Sequence, residues 1–116
     1  MEIEKILVVD DEFIIRRTLE EYCHRARIKV RAVGTIEEGL SALQGDHGFD
    51  LAFLDVNLPD GDGLEILEEL RVIESPPLPV MITGQGSIES AVECMKLGAY
   101  DYVLKPFSTD ELDMIV

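Results

Sequence analysis

The sequence predicts an α/β protein with one parallel sheet and helices packed on both faces. Three observations carry this. Short strand-like runs recur at Lys5–Val9, Ile28–Val33, about Asp50–Asp55, Pro79–Thr83 and Asp101–Leu104. Each is followed by a stretch of helical periodicity, and such alternation builds a parallel sheet with right-handed crossovers. The runs at Lys5–Val9 and Leu51–Leu54 are apolar almost throughout, as strands covered on both faces are.

The elements follow in order. The first run stops at Asp10-Asp11, and from Glu12 the pattern turns helical. Phe13, Ile14, Leu19, Tyr22, Cys23 and Ala26 are the expected inward stripe. Ile28–Val33 alternates loosely and reads as the second strand. Thr35 with Glu38 three residues on makes a capping box, and Ile36, Leu40 and Leu43 follow at helical spacing. Gln44–Gly48 ends that helix. The third strand ends on Asp55, and Pro59, Asp60, Gly61, Asp62 and Gly63 form a turn. A third helix is expected from about Gly63 into Ile73, with Leu64, Leu67 and Leu70 inward. Ser75-Pro76-Pro77-Leu78-Pro79 breaks it. After the fourth strand, Gly84-Gln85-Gly86 turns and Ser87 caps a helix through Lys96. Lys105-Pro106-Phe107 turns after the fifth strand, and Ser108 or Thr109 starts a fifth helix that the chain cuts short at Val116.

Length and composition bound the function. A chain of 116 residues with 47% hydrophobic content suits one domain with a proper core. The net charge of −14 disfavours direct contact with nucleic acid or an anionic membrane surface and suits cations and basic partners. Cys23 and Cys94 lack metal-ligand spacing and read as free thiols of a reducing cytosol. No signal peptide, lipidation motif or membrane-spanning apolar stretch stands in the sequence.

The chemistry gathers at strand ends. In a parallel sheet all carboxyl ends lie along one rim, which is where open α/β sheets hold their sites. Asp10-Asp11, Asp55, Thr83 and Lys105 each follow or end a strand. Singly, each is more often a cap, a turn residue or a surface charge. Together they place crowded carboxylates beside one ammonium. Crowding raises at least one carboxyl pKa, and a hard divalent cation such as Mg²⁺ relieves it with oxygen ligands.

These residues stand in motifs that resemble a known family. Leu7-Val8-Val9-Asp10-Asp11-Glu12, Asp55-Val56-Asn57-Leu58-Pro59-Asp60-Gly61-Asp62-Gly63, Met81-Ile82-Thr83-Gly84, Gly98-Ala99-Tyr100-Asp101-Tyr102 and Lys105-Pro106-Phe107 look like the receiver domain of two-component response regulators. The resemblance covers essentially the whole chain, as a single receiver domain over residues 1–116. It implies a flavodoxin-like, three-layer α/β/α fold with strand order 2-1-3-4-5. It also implies a phosphoacceptor at Asp55 and Mg²⁺ held by Asp10, Asp11, Asp55 and the Asn57 backbone carbonyl. Lys105 would pair with phosphate, Thr83 and Tyr102 would be switch residues, and Lys105–Pro106 would be cis. The implied protein is a cytoplasmic signalling domain rather than an enzyme. A sensor histidine kinase would charge Asp55, and the face of the fourth helix, fifth strand and fifth helix would control an effector domain. Thr83-Gly84-Gln85-Gly86, Ala91-Val92 and Met95-Lys96-x-Gly98-Ala99-Tyr100-Asp101-Tyr102 resemble receivers joined to AAA+ sigma-54-dependent transcription activators, so the effector would lie C-terminal and bind DNA. Leu112, Ile115 and the fourth helix suggest a homodimer contact, with ordinary packing on the sheet as the alternative.

Rival readings fit less well. An EF-hand loop from Asp55 has Asp60 where Gly is required and Ile66 where Glu is required. Gly84-x-Gly86 has Glu89 in place of the third glycine of a dinucleotide site, and no G-x-x-x-x-G-K phosphate loop exists. A haloacid-type phosphatase wants an acid two residues after its nucleophile, where Asn57 stands. A receiver-like binding module that never sees phosphate is the non-enzymatic alternative.

Overall fold

The computed structural model describes residues 2–45, 47–84 and 88–116, with the backbone alone for 88–90. The expected Gln85-Gly86 turn and Ser87 cap lie outside the described residues. The chain runs β1 (Lys5–Val9), α1 (Phe13–Arg25), β2 (Lys29–Val33), α2 (Ile36–Ala42) and β3 (Leu51–Asp55). Then come β4 (Asn57–Leu58), β5 (Gly61–Asp62), α3 (Leu64–Glu69), β6 (Leu78–Thr83), α4 (Ile88–Lys96), β7 (Asp101–Leu104) and α5 (Thr109–Ile115). The main sheet is parallel, in the order β2-β1-β3-β6-β7. This is the expected 2-1-3-4-5 arrangement.

Strand alternation divides the core between the two sheet faces. Leu7, Val9, Ala52, Leu54 and Met81 pack with Ile36, Ala42, Ile66, Leu67 and Cys94 of α2, α3 and α4. Ile6, Val8, Leu51, Phe53, Val80 and Ile82 pack with Leu19, Tyr22, Cys23 and Leu112 of α1 and α5. Ile6, Leu7, Val8, Val9 and Phe53 are fully buried, each worth roughly 1.5–3 kcal/mol against exposure. That burial fixes the strand ends, and with them the rim.

Three expectations need correction. Only Leu19, Tyr22 and Cys23 of the predicted α1 stripe are buried; Phe13, Ile14 and Ala26 are exposed. In the first turn of α1, Phe13 and Ile14 face solvent while Ile15 packs on the core. Helix α3 ends at Glu69, short of Ile73, and turns follow. Leu112 is 2% exposed and packs against the sheet, with the partly buried Ile115 beside it, so Leu112 serves the core rather than a dimer contact.

The segment after β3 is more ordered than its turn composition suggests. β4 and β5 form a small antiparallel hairpin pairing Asn57 with Asp62 and Leu58 with Gly61. Gly63 closes it against the strand end, donating its N–H to the Val56 carbonyl at 2.7 Å. A Cβ at Gly63 would collide with the Asp55 carbonyl oxygen, so only glycine lets the chain pass this close. The Asp62 side chain accepts the Leu64 N–H at 2.9 Å and starts α3.

Candidate functional site

The sheet order brings the charged strand ends together. β1 lies beside β3 with Val9 opposite Leu54, so Asp10 and Asp55 leave neighbouring strands at the same level. β6 flanks β3 on the other side and ends at Thr83. β7 follows, and Lys105 stands one residue past its end, its N–H donated to the Thr83 carbonyl at 2.8 Å. Lys105–Pro106 is cis, as expected.

Asp10, Asp55 and Thr83 are the buried polar side chains among the described residues, at 0%, 3% and 2% exposure. Asp11 is exposed above them. Carboxylate oxygens of Asp10, Asp11 and Asp55 all lie within 4.8 Å of one another. The Lys105 ammonium sits against this group, 2.8 Å from Asp10 Oδ2 and 3.2 Å from Asp55 Oδ2. Asp55 Oδ1 accepts the Asn57 N–H at 3.1 Å, and Asp10 Oδ1 accepts the Glu12 N–H at 2.8 Å. Asp10 therefore shapes the turn into α1 and faces the site with its other oxygen. Asp11, Glu12, Asp55, Asn57, Gly84 and Lys105 line an open cleft of about 440 Å³. A Cβ on Gly84 would meet nothing within 4 Å, so glycine leaves the cleft mouth open. Tyr102 is half-buried at the edge of the α2–α3–α4 face.

The electrostatics follow from burial. Asp55 is pushed up to about 6 by desolvation and then by the Asp10 charge, against the pull of the Asn57 N–H and Lys105. For Lys105, desolvation works against the charge, but the close ion pairs with Asp10 and Glu12 and the charges of Asp10 and Asp55 win, and its pKa rises. One positive charge faces the four carboxylates of Asp10, Asp11, Glu12 and Asp55, so the cleft remains net negative.

The donor set fits a hard divalent cation. All three convergent side chains offer carboxylate oxygens, the ligand type Mg²⁺ and Ca²⁺ prefer. Asp10 Oδ2 is buried and, despite its ion pair with Lys105, has no aligned hydrogen-bond donor. A buried acceptor of this kind is costly without a further partner.

Two contributors escaped the motif reading. Glu12 Oε1 lies 2.6 Å from the Lys105 ammonium, closer than either aspartate. Asp60, in the hairpin turn, accepts the Ile36 N–H at 2.9 Å and the Glu37 N–H at 3.1 Å, tying the segment after Asp55 to the start of α2. Nothing in their spacing signals either contact.

Known proteins share this sequence pattern and fold. The response regulator receiver domain family matches residues 6–116. The chain is 34% identical over 114 residues to Regulatory protein AtoC of Escherichia coli (strain K12), covering 98% of this chain and 24% of that protein. It is 42% identical over 110 residues to the probable transcriptional regulator ycf27 of Cyanophora paradoxa, covering 95% of this chain and 45% of that protein. The chain thus spans under half the length of these curated relatives. A receiver domain protein of Methanospirillum hungatei JF-1 superposes with a TM-score of 0.88 at 31% identity, covering 98% of this chain and 91% of that one. A Burkholderia pseudomallei response regulator, solved with a phosphorylated aspartic acid and a calcium ion, gives 0.85 at 28% identity over 94% of this chain and 64% of that one. Among the described residues, no helix is long and apolar enough to cross a membrane. With its five-stranded order, its acidic cleft at the strand ends and its lysine across from them, the chain belongs to the response regulator receiver domain family, whose members work in two-component signalling rather than as enzymes.

Proposed function

We propose that this chain is a phosphorylation-driven switch with Asp55 as the acceptor. The observation that carries the reading is the convergence of the Asp10, Asp11 and Asp55 oxygens within 4.8 Å, with Lys105 against them. Asp10, Asp11, Asp55 and the Asn57 carbonyl would hold Mg²⁺, which when bound supplies positive charge for the carboxylates and the incoming phosphoryl oxygens. The chain's residues do the rest. An Asp55 oxygen attacks phosphorus of a sensor kinase phosphohistidine, the P–N bond breaks, and imidazole leaves. The Asn57 N–H holds the other Asp55 oxygen, which orients the attack. Lys105 pairs with the phosphoryl group, and the open mouth at Gly84 admits it. Hydrolysis of the acyl phosphate returns the chain to rest.

The output is a shift between two packings. Thr83 ends β6 next to the acceptor and turns toward the phosphoryl oxygens; Tyr102, opposite Met81 in register, moves inward. The α4–β7–α5 face then changes its affinity for partners. Val92, Met95, Leu104 and Met114 already expose apolar surface there. The partners are a C-terminal effector domain, of the AAA+ DNA-binding type, or a second copy, in the cytoplasm. The length of the curated relatives supports an effector.

Incubation with labelled acetyl phosphate tests the reading. The native chain is expected to take up label only with Mg²⁺, and Asp55→Asn to take up none while keeping its fold. Label that survives in Asp55→Asn would move the acceptor elsewhere.

A further inference from the structure

The shortest ion pair to Lys105 is made by neither aspartate of the rim but by Glu12, at 2.6 Å. Glu12 is the N-cap residue of α1, yet its side chain makes no capping hydrogen bond. A glutamate is an unusual cap, and here Asp10 Oδ1 orders the turn by accepting the Glu12 N–H. The Glu12 side chain is 57% exposed and reaches a Lys105 side chain only 9% exposed. Among the described residues its side chain caps no helix N–H and pairs with Lys105.

We infer that Glu12 is a positioning residue that holds Lys105 in competition with the phosphoryl group. The inference rests on the receiver reading above and deepens it. The ammonium divides its contacts among Asp10, Asp55 and Glu12. Glu12 draws it toward the cleft mouth, which leaves the Asp10 and Asp55 oxygens freer for a cation. An incoming phosphoryl group must then displace Glu12 from Lys105 and enter beside its negative charge. Removing that charge has opposite effects on the two ligands. The cation loses an ally, because Lys105 settles on the aspartates. The phosphoryl group loses a competitor.

The test compares the native chain with Glu12→Gln and Glu12→Asp. Mg²⁺ affinity is read from amide NMR shifts, beryllofluoride affinity at saturating Mg²⁺ from the same spectra, and labelling rate from acetyl phosphate. Glu12→Gln should bind Mg²⁺ more weakly and beryllofluoride more tightly, each by about two- to fivefold, the range of a partly exposed ion pair. It should label faster by a similar factor, with unchanged urea stability. Glu12→Asp, one methylene shorter, should fall between. Shifts of both affinities in the same direction, no shift in either, or a drop in stability would overturn the inference. A native chain that takes no label would instead end the receiver reading, and the inference with it.

Discussion

Asp55 shows what the rim costs at the level of one side chain. Its folded carboxyl titrates near 6, against 3.8 for the free group, because burial and Asp10 outweigh Lys105 and the Asn57 N–H. The folded chain therefore holds this proton more tightly than the unfolded one. Stability from this group is present at low pH and declines as pH rises from about 4 to about 6, staying lower at neutrality. Asp55→Asn lacks the ionised form. It is expected to exceed the native chain in stability at pH 7 by about 1–3 kcal/mol, since a tenfold change in proton affinity is worth about 1.4 kcal/mol. Near pH 4 the two should converge. Urea denaturation at both pH values checks this, and equal stability at pH 7 would show Lys105 balancing Asp55 completely. The same residue illustrates how far sequence reaches. An acid ending a buried apolar run is legible, and so is a lysine after another strand. Glu12 is not, because an exposed glutamate beside two aspartates looks like solvating charge until the fold brings Lys105 to it.

Among the elements, the turn from β3 to α3 does most to set the site. The β4–β5 hairpin, the Gly63 passage and the Asp60 bonds to Ile36 and Glu37 fix the path of the chain just past the acceptor. The Asp60 carboxyl is held below its usual range, chiefly by the Ile36 N–H. It supports α2 at neutral pH and loses that support as pH falls through its depressed pKa. Asp60→Ala should lower Tm modestly and speed hydrogen exchange at the Ile36 and Glu37 amides first. Unchanged exchange there would mean Thr35, which accepts the Glu38 N–H, caps α2 alone. Periodicity placed the helices but not their burial. In α1 it does not distinguish Phe13 and Ile14, which stay exposed, from Leu19 and Cys23, which pack in the core. A two-residue strand carries no period, so the hairpin was invisible.

For the whole molecule, strand order is the decisive property. Alternating strands and helices establish a parallel sheet, but nothing in their periodicity says which strands are neighbours; the order came from the motif resemblance, and the structure has it as β2-β1-β3-β6-β7. That order sets Asp10 next to Asp55 and leaves Lys105 close enough to touch both. The molecule thus concentrates part of its excess negative charge at one cleft, where a cation and a phosphoryl group would relieve it. The most direct measurement traps the acyl phosphate formed from acetyl phosphate by borohydride reduction and maps the modified peptide by mass spectrometry, with Mg²⁺ and with EDTA. The account predicts modification of Asp55 with Mg²⁺ and none with EDTA. Modification at another residue, or equal modification of Asp55 without metal, would contradict it.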